Sequence, residues 1–250
     1  MESIFSLKGR RAMVTGASRG LGAAIALGLA KAGADLVVTA RNAEALTGIA
    51  ADIRAIGRQV SCLALDQRDV AAIAPAVETL GTVDVLVNNA GIEEVCPSTE
   101  ITEDLWNRIV DTNLKGAFFT TQAVARGMLA RGLGSIINLA SLTSFVGVPK
   151  AVPYGSSKSG ILGMTRALST EWAAQGVRVN AIAPGYFRTN LTEQFYRDEA
   201  WAASMLAKIP QRRFGQGEDL VGAVVFLASD ASAYVTGQCI GIDGGYLAAI

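Results

Sequence analysis

Thr15-Gly16-Ala17-Ser18-Arg19-Gly20-Leu21-Gly22 follows a short apolar run, Arg11 to Thr15, and leads into an Ala-rich amphipathic segment at residues 21–32. Glycines at the spacing G-x-x-x-G-x-G let the backbone turn tightly and approach a ligand with no Cβ in the way. A helix that opens at such a loop presents unpaired N–H groups and the positive end of its dipole to an anion. Glycines often serve turns alone, so the context decides. A Gly-rich loop between the first strand and the first helix is where a βαβ unit holds the pyrophosphate of a dinucleotide.

The same rhythm runs to the end of the chain. Arg11 to Thr15, Asp35 to Ala40, Val60 to Leu65, Val83 to Val87, Ser135 to Ala140, Val177 to Ala183 and Gln238 to Ile242 read as strands. Residues 21–32, 43–56, 69–79, 102–131, 153–175 and 217–228 read as helices. Strands alternating with helices predict an α/β fold, a doubly wound sheet of about seven parallel strands with helices on both faces. No repeat, low-complexity tract or Pro/Gly linker divides the chain, so residues 1–250 are expected to form one domain. Tyr186 to Arg213 breaks the rhythm. It is long for a connection and carries Phe187, Phe195, Tyr196, Trp201 and Met205, which predicts a substrate lid at about 186–213 or a surface for a partner subunit.

Composition narrows the function. With 22 basic and 22 acidic residues, the chain offers no basic excess for nucleic acid or an anionic membrane. No stretch of about 20 residues is free of charge and turn formers, so no transmembrane span is expected. Met1 to Lys8 lacks the apolar run of a signal peptide. Cys62, Cys96 and Cys239 are odd in number and far apart, which favours free thiols in a reducing cytoplasm over disulfides or a metal site. The chain has no histidine. A Ser-His hydrolase and a Cys/His zinc site are therefore disfavoured, and acid/base work near neutral pH falls to a shifted Tyr, Lys, Cys or carboxylate.

Tyr154-Gly155-Ser156-Ser157-Lys158 offers such a group. The i,i+4 spacing sets Tyr154 and Lys158 on one helix face, and an ammonium in a partly desolvated site lowers the pKa of a neighbouring phenol. By itself the pattern reads more readily as a helix surface pair than as a catalytic one, so its neighbours decide. At the end of the second strand, Ala40 and Arg41 stand where NAD-binding sheets tend to place an acid for the ribose 2′-hydroxyl. Arg41, with Arg19 in the loop, supplies guanidiniums for a 2′-phosphate, so NADP(H) is favoured over NAD(H).

In order and along essentially the whole chain, these motifs resemble the short-chain dehydrogenase/reductase family, whose fold is Rossmann-like. The Gly-rich loop matches at Thr15 to Gly22 and the Asn-Asn-Ala-Gly signature at Asn88 to Gly91. The family's helix asparagine, serine and Tyr-x-x-x-Lys match Asn113, Ser141, Tyr154 and Lys158. Pro184-Gly185, Val235 to Gln238 and Asp243 to Gly245 also fit. The resemblance implies an enzyme that interconverts a secondary alcohol and a ketone by hydride transfer, with Tyr154 as acid/base. Lys158 would lower the tyrosine pKa and bind the nicotinamide ribose, Ser141 would donate to the developing alkoxide, and Asn113 would hold a water linking Lys158 to solvent. For the cofactor it implies Gly16, Ser18, Arg19, Gly20, Leu21 and Gly22 at the phosphates and Asp66 and Gln67 at the adenine. Asn89, Ala90 and Gly91 would flank the adenosine ribose, with Pro184, Gly185, Phe187 and Thr189 on the nicotinamide side. It also implies a homotetramer built through the helices at 102–131 and 153–175.

The catalytic set fixes reaction type and leaves the substrate open. The texture around Pro210 to Gly215 resembles sugar, polyol and sugar-acid dehydrogenases such as gluconate 5-dehydrogenases, and 3-oxoacyl-carrier-protein reductases nearly as well. The substrate pocket is expected to include Glu93 or Glu94, Leu142 to Val148 and the lid, and acidic residues there suit hydroxyl-rich substrates better than anionic ones. A non-catalytic NADP(H)-binding protein could have lost the Tyr or the Lys, whereas this chain keeps all four catalytic positions.

Overall fold

The computed structural model describes residues 3–188, 196 and 198–250. Seven strands, β1 (Arg11–Val14), β2 (Asp35–Ala40), β3 (Val60–Ala64), β4 (Val85–Asn88), β5 (Gly134–Leu139), β6 (Val177–Pro184) and β7 (Cys239–Ile242), form one sheet in the order β3-β2-β1-β4-β5-β6-β7. Every pairing is parallel. Successive side chains point to opposite faces, and helices cover both faces, so the central strands are apolar throughout rather than alternating. Val14, Val38 and Ile137 enter one core with α1 (Gly20–Lys31), α2 (Thr47–Ala55) and a late helix, Glu218–Ala228. Their neighbours Met13, Val37 and Ile136 enter the other, with α3 (Val70–Glu78), Val124 and Met128 of α5 (Gly116–Arg131) and Leu168 of α6 (Val152–Trp172). Each fully buried Leu, Ile or Val contributes about 1.5–3 kcal/mol to holding these layers on the sheet.

Two elements differ from the sequence expectation. The segment read as one helix over 102–131 is α4 (Glu103–Val110), a π-helical turn at Asp111–Lys115, and then α5. The Gln67 amide donates to the Thr112 carbonyl at 2.6 Å, giving a backbone acceptor in the widened turn a partner. Inside the stretch left without an assigned element lies α7 (Glu199–Lys208), and the late helix at Glu218–Ala228 is α8. Asp198 caps α7 by accepting from the Trp201 N–H at 3.0 Å, an N-cap signal that the sequence carries in plain view.

The strand order reverses direction between β1 and β4, which opens a crevice at the carboxyl ends of these strands. Val14 is in register with both Val38 and Val87, so the loop after β1, the end of β2 and the end of β4 meet at one edge. Leu139 in register with Ile182 and Pro184 with Ile242 bring the ends of β5, β6 and β7 to the same edge. Among the described residues no helix is long and apolar enough to cross a membrane.

Candidate active site

The loop after β1 is shaped to admit a phosphate. Gly16 and Gly20 hold φ of 65° and 58°, a left-handed backbone that side chains disfavour. A Cβ on Gly22 would collide with the Gly16 carbonyl and the Asn89 side chain. Asn89 ties this loop to β4: its Nδ2 donates to the carbonyls of Thr15 and Gly16 at 2.9 and 3.0 Å. In return, Thr15 Oγ1 accepts the N–H groups of Asn89 and Ala90, both at 3.0 Å. Thr15 is a residue that sequence reasoning passed over, although it opens the quoted motif. Arg19 stands at the N-cap of α1 and provides no side-chain cap, so the first-turn N–H groups remain available to an anion.

Around this loop, the residues expected at the adenosine end fall into two groups. Ser18 is half-buried, Leu21 leans on the core, and Arg19 and Arg41 are exposed with no ion pair to a described residue. Asp66 is taken by Arg68 at 2.7 Å, and that hydrogen bond, with help from Arg41, holds its carboxyl below the usual range. Gln67 is buried with its amide turned to the Thr112 and Ala90 carbonyls. The arginines and glycines therefore fit a phosphorylated dinucleotide, with no acid at the end of β2 to claim a ribose hydroxyl.

The residues expected to handle protons lie together near the ends of β4 and β5. Ser141 begins a short turn after β5, where its Oγ accepts the Thr143 N–H at 3.2 Å and leaves its own proton free to donate. Ser144 Oγ accepts the Ser141 N–H at 3.3 Å and donates to the Lys158 carbonyl at 2.8 Å, which ties this turn to α6. Lys158 is 5% exposed, donates to the Leu139 carbonyl at 2.7 Å and lies 5.7 Å from the centre of the Tyr154 ring. Asn113 sits in the π-helical turn rather than mid-helix, at 1% exposure. Its Oδ1 accepts the Ile92 N–H at 2.8 Å, and its Nδ2 donates to the Ile92 carbonyl at 2.9 Å and to Ser157 Oγ at 3.2 Å. At Gly91 a Cβ would lie 3.3 Å from Asn113 Oδ1 and 3.6 Å from Lys158 Nζ, so Gly91, Asn113 and Lys158 share one small space.

Beyond β6, the Gly185 N–H donates to the Ile242 carbonyl at 2.9 Å, fixing Pro184-Gly185 at the sheet edge. Phe187 is buried in the core and bridges to Gly215. Thr189 and Phe195 lie outside the described residues.

The electrostatics hold a surprise for the sequence expectation of an acidified tyrosine. Burial pushes the Tyr154 hydroxyl well above the ordinary phenol range, the charge of Glu93 pushes it the same way, and a hydrogen bond from Ser141 opposes both. Burial lowers Lys158 to about 8, against a raising influence from Glu93. Glu93 is itself raised by burial, with Lys158 opposing. Spacing pointed to the Tyr–Lys pair, whereas the carboxylate after β4 was expected in the pocket only as one of two neighbours, Glu93 or Glu94.

A family model described as enoyl-(acyl carrier protein) reductase matches residues 16–247. This chain belongs to the short-chain dehydrogenase/reductase family. Among relatives, the 2-dehydro-3-deoxy-D-gluconate 5-dehydrogenase of Escherichia coli K12 is 44% identical over 251 residues, covering 98% of each chain. A candidate short-chain alcohol dehydrogenase from Sinorhizobium meliloti 1021 is 60% identical with a TM-score of 0.96, over 99% of this chain and 100% of that one. A gluconate 5-dehydrogenase from Burkholderia cenocepacia J2315, solved in complex with NADP and tartrate, is 39% identical with a TM-score of 0.96 over 98% of both chains. Family membership makes this chain an oxidoreductase acting on CH–OH groups.

Proposed function

We propose that this enzyme interconverts a secondary alcohol and a ketone on a sugar-like or polyol substrate, with NADP(H) as hydride carrier and Tyr154 as acid/base. The observation that carries this reading is the convergence of Ser141, Tyr154 and a buried Lys158 beside a glycine-shaped phosphate loop. NADP(H), when bound, supplies or accepts the hydride. Tyr154, kept protonated by burial and Glu93, is a proton donor ready for the oxygen of a carbonyl substrate. Ser141, whose hydroxyl proton is turned to Tyr154, would donate to the substrate oxygen as that oxygen gains charge. Lys158, oriented by the Leu139 carbonyl, holds positive charge near the ring and would donate to the ribose of a bound cofactor. Asn113 fixes Ile92 and Ser157 and so the backbone around Gly91 and Tyr154. The unpaired Arg19 and Arg41 support a 2′-phosphate, as does the NADP in the Burkholderia cenocepacia relative. In this reading residues 1–250 act as one dinucleotide-binding domain, the segment at about 186–213, of which 189–195 and 197 lie outside the described residues, is the substrate lid, and four copies assemble in the cytoplasm through the helices at 102–131 and 153–175.

The test is an absorbance assay of reduced nicotinamide that crosses NADPH and NADH with ketoses, polyols, sugar acids, cyclic ketones and acetoacetyl thioesters. Turnover of ketoses or polyols with NADP(H), lost in Tyr154→Phe, is the expected result. Preference for acetoacetyl thioesters would instead favour a 3-oxoacyl-carrier-protein reductase, and full activity of Tyr154→Phe would sink the mechanism.

A further inference from the structure

Two adjacent glutamates follow the Asn-Asn-Ala-Gly signature, and they behave differently. Glu94 is 55% exposed and pairs with Arg108 at 2.9 Å. Glu93 is half-buried and has no ion pair or hydrogen bond with a described residue. The backbone leading into it is held firmly, because Asn113 clamps both the N–H and the carbonyl of Ile92. Asn113 also donates to Ser157 Oγ, and Ser157 Oγ donates to the Tyr154 carbonyl at 2.7 Å. The start of the Glu93 segment is thereby fixed against the helical turn that carries Tyr154 and Lys158. Gly91, two residues before Glu93, packs so closely that a Cβ there would lie 3.6 Å from Lys158 Nζ, so Glu93 leaves this turn beside the Tyr154–Lys158 pair, and its charge bears on Tyr154, Lys158 and Tyr186. Tyr186 extends that wall, packing edge-on against Trp201 at 5.8 Å and Tyr246 at 5.3 Å.

We propose that Glu93 determines substrate class, accepting hydrogen bonds from the hydroxyls of a neutral polyol or ketose at Tyr154 and excluding sugar acids from that position. The inference rests on the dehydrogenase reading above and deepens it. A half-buried carboxylate with no hydrogen-bond donor among the described residues is served by donors on the substrate, and neighbouring hydroxyls of one polyol can serve both of its oxygens. A substrate carboxylate in the same space would meet like charge at low dielectric. Lys158, which among the described residues is the cation that bears on Glu93, is turned to the Leu139 carbonyl. Arg188 lies over the Tyr196 ring at 5.3 Å. The aromatic wall supplies apolar surface for the C–H faces of a sugar chain. Burial raises the Glu93 carboxyl, consistent with a group whose solvation the substrate must replace. The preference differs from the gluconate substrates in the names of the relatives.

The experiment measures kcat/KM with NADP+ for sorbitol, xylitol and ribitol, for gluconate, and for a protonated amino polyol, in the wild type, Glu93→Gln and Glu93→Arg. Ratios between substrates cancel any shared effect of the substitutions on Tyr154. The expected wild-type ratio of best polyol to gluconate is at least about tenfold, narrowing in Glu93→Gln and inverting in Glu93→Arg. Faster gluconate than polyol oxidation by the wild type overturns the assignment while leaving the dehydrogenase reading intact. A ratio unmoved by both substitutions, or preference for the amino polyol, overturns it as well. If the wild type turns over none of these, both readings fall together.

Discussion

Tyr154 lies under opposed influences that can be separated one residue at a time. The phenol is the proposed proton carrier, so Tyr154→Phe is expected to reduce kcat by about 10²–10⁴-fold while the NADPH dissociation constant stays within a few-fold. Turnover assays paired with a fluorescence titration check the two halves of that statement. Glu93→Gln tests the field. Glu93 raises Tyr154, so its neutralisation lets the phenolate form more easily. The limb of the alcohol-oxidation pH profile that reports Tyr154 deprotonation should therefore move to lower pH. Lys158, which Glu93 also raises, should fall below about 8 in the same variant; a profile that stays put would mean that Glu93 does not govern the phenol. At the other end of the crevice, Arg41→Ala should raise the KM for NADPH by about 10–100-fold, the loss of one charge-assisted contact, with little change for NADH. Equal effects on both cofactors would overturn the 2′-phosphate reading. These residues were legible in the sequence because chemistry-bearing types stood at fixed spacings. Glu93 was legible only as a pocket candidate beside Glu94, since the choice between them depends on which way each side chain turns.

Elements explain why some of the site could be read and some could not. The strands were visible because burial on both faces leaves unbroken apolar runs, and their limits fell within two residues of those read from the sequence. The π-helical turn was invisible, because the sequence around Asn113 has the composition of an ordinary helix. What widens the helix there is tertiary: Gln67 bonds the Thr112 carbonyl, and a Cβ on Gly116 would press on Gln67. The turn matters because it sets Asn113 against Ile92. Asn113→Leu removes the partners of the Ile92 N–H and carbonyl together, and is expected to cost about 1–3 kcal/mol in denaturant unfolding. Because Ile92 leads into Glu93, the substrate KM should rise in that variant more than the NADPH dissociation constant; a change confined to stability would assign Asn113 to folding alone.

At the scale of the whole molecule, the crevice is a seam. It is lined by the ends of β1, β2, β4, β5 and β6, which belong to both halves of the sheet, and Asn89, Thr15 and Asn113 tie the loops that leave these ends to one another. A dinucleotide spanning the seam would bind only the folded arrangement, so its binding energy adds to the stability of the whole. At a concentration one hundred times its dissociation constant the gain is about 2.7 kcal/mol. For a chain of this length each kcal/mol moves the unfolding midpoint by about 2–4 °C, so NADPH should raise Tm by about 5–10 °C in a calorimetric or fluorescence melt. At the same concentration NADH should raise it less, because Arg19 and Arg41 find no phosphate on its ribose. Gly22→Ala supplies the control. Its added methyl closes on the Gly16 carbonyl and on Asn89, so the NADPH-dependent shift should disappear even if the variant folds. A shift that survives in Gly22→Ala, or one equal for NADH and NADPH, would place the cofactor somewhere other than the seam or remove the reason to prefer NADP(H).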